Sequence, residues 1–178
     1  WMTDSRPDAS WASEAWRRDS VAAVEDIAGR LHAEFSGRVI LYQIGVRNLR
    51  RPSIRRIFEE LAEAHPDDPQ VKASLALAHL RNRDAKASLM LAETLPREDI
   101  RVPEALRTSL IACAQLLGGG AAAEGVSLRD VEWPKLLPRE AEFFREFFIE
   151  IGAKQAVPLQ LEQEVARNER AMAEWRQI

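Results

Sequence analysis

The feature that most constrains this chain is the rhythm of its helix breakers. Ser36-Gly37, Arg51-Pro52, His65-Pro66, Asn82-Arg83-Asp84, Pro96, Gly118-Gly119-Gly120, Pro138, Gly152 and Pro158 divide it into segments of helical length. Between the breakers, apolar residues recur at spacings of three and four. Val21, Val24, Ile27, Leu31 and Phe35 form one such stripe, and Leu106, Leu110, Cys113 and Leu117 form another. Ala, Leu, Glu and Arg supply nearly half of the residues, and all four favour helix. No segment alternates apolar and polar residues over a strand length. The run from Val39 to Val46 has the composition of a strand, but a lone strand cannot satisfy its own backbone, so it reads as a buried helix. The expectation is an all-α protein.

Residues 1–18 read as a polar tail or short helix, 19–132 as an array of helix hairpins, and 133–178 as a C-terminal helical pair packed on that array. Within the array the pattern predicts a helix capped by Asp19 or Ser20 and ended by Ser36-Gly37, and one over about 38–50. A helix capped by Ser53 and lined by Ile54, Ile57, Phe58 and Leu61 follows, then one carrying Val71, Leu75, Ala78 and Leu80. Others cover Ala85–Leu95, the stripe from Pro103 to Leu117 and, briefly, 121–128. In the C-terminal part it predicts a linker from Trp133 to Pro138, a helix over Arg139–Ile151 and a last helix from Pro158 to about 176.

Composition removes several function classes. The net charge is −3, which does not suit a general nucleic-acid binder. No apolar run reaches the roughly 20 residues that cross a bilayer. One cysteine allows neither an internal disulfide nor a cysteine-based zinc cluster. A free thiol and the lack of a basic-then-apolar amino end point to a bacterial-type cytoplasm.

Helix pairs of about 30–35 residues, joined by short turns, are the signature of helix–turn–helix solenoids. The stretch Ala64-His-Pro-Asp-Asp-Pro-Gln-Val71, followed by Leu75-Ala76 and by Asn82-Arg83-Asp84-Ala85, resembles tetratricopeptide repeats. The resemblance covers residues 38–96. It departs from the family pattern at Arg83, where the turn glycine is expected, at Ser88, where a small residue one place removed (Ala87) would fit, and at Pro96, which closes the unit early. It implies stacked antiparallel helix hairpins and a scaffold that holds a peptide or partner helix in a groove, without chemistry of its own.

A search for chemistry yields little. His32, His65 and His79 lack the i, i+4 spacing that puts two imidazoles on one helical face for a metal. His32-Ala33-Glu34 has the H-x-E form of zinc deaminases, but the required Cys-x-x-Cys is absent. The triple glycine lacks the Lys-Ser or Lys-Thr of a phosphate loop, and its segment follows a helix rather than a strand. Cys113 sits on an apolar stripe, where a thiol behaves as a small hydrophobe. Glu59, Glu60, Glu140 and Glu142 read as solvated outer faces. No cofactor or metal is expected.

Two features stand above this background as surfaces for a partner. Arg47, Arg50, Arg51, Arg55 and Arg56 cluster around Pro52 and suit an acidic protein partner. Phe143, Phe144, Phe147 and Phe148 crowd one helix beyond the width of a single stripe, which makes Phe143 and Phe147 candidates for a groove as well as for core. In the last helix Leu161, Val165, Asn168, Met172 and Trp175 form a short heptad-like seam with a polar residue at its middle. Together these predict a non-enzymatic adaptor or chaperone-like module that binds a protein partner. The alternative is an accessory helical domain of a larger enzyme or secretion assembly.

Overall fold

Pro52 occupies the first position of a helix, where its missing N–H costs nothing, so Ser53, expected as the cap, lies inside the first turn. The computed structural model describes residues 52–97, 99, 102–118 and 126–175. The tail at 1–18, the two helices expected over 20–50 and residues 121–125 of the short helix lie outside these residues. Every regular element among them is helical, and the sole β feature is an isolated bridge between Asp99 and Val102. The all-α expectation holds there.

α1 (Pro52–Ala64) buries Phe58 and Leu61. His65 closes it, its N–H donating to the Leu61 carbonyl at 2.8 Å. Asp68 then starts α2 (Pro69–Arg81), its carboxylate accepting from the N–H groups of Gln70 (2.9 Å) and Val71 (3.3 Å). α2 is buried on nearly every side, from Val71 through Leu80. It packs against α1, against α3 (Ala85–Glu93) and against α4 (Glu104–Gly118), which explains the apolar run that weakens its amphipathic pattern.

The turn from α2 to α3 is a Schellman cap. The N–H of Asp84 reaches the His79 carbonyl (2.9 Å) and that of Arg83 reaches Leu80 (3.1 Å). Arg83 carries the left-handed conformation this requires, with φ of 63°. Asp84 then caps α3 by accepting from the Ala87 N–H at 3.1 Å. α3 stops at Glu93, two residues short of the expected end, because Thr94 and Leu95 bond back to carbonyls three residues earlier. α4 packs on α3 closely enough that a Cβ on Gly118 would meet the Cβ of Ala85 at 3.0 Å.

Residues 126–130 form a turn, not the end of a short helix: Asp130 accepts from the Ser127 N–H at 2.8 Å. Part of the expected linker is ordered as a 3₁₀ turn, Trp133–Lys135, with Trp133 fully buried. It packs against α4 and against α6. α5 (Pro138–Glu150) and α6 (Leu159–Trp175) follow, packed on one another and joined by a second 3₁₀ turn, Lys154–Ala156. Gly152, with φ of 76°, ends α5 in the same bonding pattern that Arg83 gives α2: Gly152 N–H to Ile149 (3.1 Å) and Ala153 N–H to Phe148 (2.9 Å).

Candidate functional site

The arginine cluster is described only in part. Arg47, Arg50 and Arg51 lie outside the described residues. Arg55 and Arg56 project from α1 and pair along the helix with Glu59 (3.2 Å) and Glu60 (3.4 Å). Such i, i+4 pairs place each positive charge next to a negative one and contribute only a few tenths of a kcal/mol, about 0.3–0.5.

Phe143 and Phe147 are each 2% exposed. They belong to an aromatic core with Phe144, Phe148 and Trp133, packed edge to face with centroids 5.2–6.3 Å apart. In this arrangement a partner has no access to either ring, so they act as core and not as the lining of an open groove. Outside its own helix the aromatic face meets Trp133 of the 3₁₀ turn, against Phe144 and Phe148, and Arg81 at the end of α2, against Phe143.

That second neighbour carries a contact no local pattern announces. Arg81, at the last turn of α2, has a side chain only 4% exposed. Its two terminal nitrogens donate to Glu146 and Glu150 of α5, each at 2.7 Å. The guanidinium lies 4.7 Å from the centre of the Phe143 ring. Arg83 adds a bond to the backbone carbonyl of Glu150 at 3.0 Å. The carboxyl ends of two helices thus meet, each with the partial negative charge of its last carbonyls, and two arginines neutralise them. The sequence separation of 65–69 residues hides this from any periodicity argument.

Glu140 departs from the expected outer face. It is buried, because its carboxylate turns back to accept the Leu137 N–H at 2.8 Å and so caps α5. The Ser or Thr that normally marks such a cap is replaced by Leu137, so the signal was incomplete. Glu142 does lie toward solvent, paired with Arg139 at 2.8 Å.

His32 lies outside the described residues, and among those described the residues with catalytic potential are poorly placed for it. Cys113 is wholly buried, and burial pushes its thiol far above the ordinary range, away from the thiolate a nucleophile needs. His79 is half-buried, with Nδ1 3.5 Å from the carboxylate of Asp84 across the α2–α3 turn. Asp130 is held below the usual carboxylate range by the backbone and hydroxyl of Ser127, but it is fully exposed and serves its own turn. Among the described residues no three His, Cys, Asp or Glu side chains converge as a metal site, and no helix is long and apolar enough to cross a membrane.

Of the exposed apolar side chains, which include Met90 and Leu159, Met172 continues a buried seam, that of α6. Leu161 and Val165 are buried against the bundle. Glu162 ties this half of the helix to α5 through Arg145 at 3.0 Å. Beyond Val165 the cover ends. Eight of the nine residues from Ala166 to Glu174 are exposed. Met172, the next apolar seam position, is 51% exposed. Asn168 is half-buried between the two halves, and its amide nitrogen is out of solvent without a hydrogen-bond partner among the described residues. At 1.5 Å per residue the uncovered half projects roughly 13 Å. Comparison of the chain with protein-family models, with curated proteins and with solved structures finds no match.

Proposed function

We propose that this chain is a non-enzymatic protein–protein interaction module, an adaptor or chaperone-like scaffold that holds a partner peptide or helix against its helical surface. One observation carries the reading: the apolar seam of α6 is covered at Leu161 and Val165 and continues, uncovered, to Met172. A seam that runs past its own partner is suited to a second one. Methionine is apt at such a position, because its unbranched, polarisable side chain adapts to different contours. The tetratricopeptide-like order of α2, its turn and α3 belongs to the same reading, since scaffolds of that kind bind protein segments through helical faces. The acidic partner suggested by the arginines around Pro52 is a separate contact that the α6 reading does not need.

The lone cysteine makes a direct test possible. Cys113 is buried, so a Met172→Cys variant presents one reactive thiol for a photocrosslinker. Crosslinking in the native lysate is expected to capture a defined protein, and capture is expected to fail when wild-type protein is added in excess. A Met172→Asp variant should lose that competition while keeping the wild-type melting temperature, because an exposed helical position contributes little to stability, within about 0.5 kcal/mol. Undiminished competition by Met172→Asp would remove the α6 seam from the binding surface.

A further inference from the structure

We draw no further inference here: the strongest candidate, the cluster in which Arg81 and Arg83 at the end of α2 hold Glu146, Glu150 and the ring of Phe143 on α5, fastens two parts of one fold, and nothing in the structure shows a second state into which it opens or a ligand that would replace the arginines.

Discussion

In residues 52–118 small side chains are interleaved with the buried Leu, Ile, Val and Phe58. Ala73, Ala76 and Ala78 on α2, Ser88 and Ala92 on α3, and Ala105, Ser109, Ala112 and Ala114 on α4 are all buried. In residues 126–175 the space is filled by rings: Trp133, Phe143, Phe144, Phe147 and Phe148. Small residues let backbones approach, as Gly118 and Ala85 do, and leave no room for added atoms. Rings keep helices further apart, and each supplies a large share of the buried area. Enlargement at the small positions therefore probes the first region, and truncation of a ring probes the second.

Truncation should have the larger effect. Phe144 and Phe148 are both fully buried, and each meets Trp133 edge to face, with centroids 5.9 and 6.3 Å apart. A buried Phe→Ala change costs about 3–5 kcal/mol. The Phe144→Ala, Phe148→Ala double variant loses an amount comparable with the whole stability of a domain, roughly 5–15 kcal/mol. It should be largely unfolded by circular dichroism at room temperature. A melting temperature equal to wild type would overturn the assignment of this face to the core.

Arg81 stands at the boundary between the two regions, and its loss should come next. Arg81→Met keeps much of the apolar stem but deletes two charge-assisted bonds and the contact with Phe143. Hydrogen bonds to charged groups are worth about 1.5–3 kcal/mol, and the expected loss lies in that range. Because Glu146 is 57% exposed, water recovers part of its side of the pair, and the loss should sit near the lower end. Denaturant titration of wild type and variant measures it. A loss below about 0.5 kcal/mol would place Arg81 among surface positions.

Enlargement probes the first region. Ala76 is wholly buried on α2, the helix enclosed by α1, α3 and α4. Ala76→Leu adds three carbons at a position wholly closed to solvent, at a cost of about 1–3 kcal/mol. Ala166→Leu, on the exposed part of α6, makes the same chemical change and should stay within about 0.5 kcal/mol of wild type. Equal urea midpoints for the two variants would mean that the small-residue packing around α2 is loose.

How much of this was legible in the sequence follows from the range of the forces involved. The helices of 52–118 and 138–175 were legible because proline, glycine and capping aspartates act within a few residues. Asp68 and Asp84, read from the sequence only as loop and turn residues, cap the helices that follow them. The burial of Cys113 followed from its stripe. The partnership of Arg81 with Glu146 and Glu150 was not legible, because it depends on where two helix ends meet in space. Glu140 was misplaced for a local reason, a capping carboxylate without its usual hydroxyl partner. The α6 seam was legible as a seam, but where its cover stops depends on the length of the helices beside it. Phe143 and Phe147 were legible as apolar excess, but their burial is decided by what packs on them in space, as the contact of Phe143 with Arg81 shows.

The two Schellman caps give the finest comparison of the regions, and the smallest expected effects. Gly152 and Arg83 have the same role, the same bonding pattern and similar φ values of 76° and 63°. A side chain in this left-handed conformation costs roughly 1–2 kcal/mol. At Gly152 nothing lies within 4 Å of the position a Cβ would take, so Gly152→Ala tests the backbone alone and should lose about 1 kcal/mol. At Arg83 the backbone cost is already present and is offset in part by the bond to the Glu150 carbonyl. Arg83→Ala keeps the backbone cost and loses the bond, for a net loss of about 0.5–1.5 kcal/mol. Arg83→Gly loses the bond but relieves the backbone, and should lie within about 0.5 kcal/mol of wild type. The difference between the Gly and Ala variants at residue 83 should therefore match the effect of Gly152→Ala, with the sign reversed. If Ala and Gly at position 83 are equally stable, the turn adopts another conformation in solution. Arg83 would then sit in a different turn, and its bond to α5 would not be what offsets a left-handed backbone.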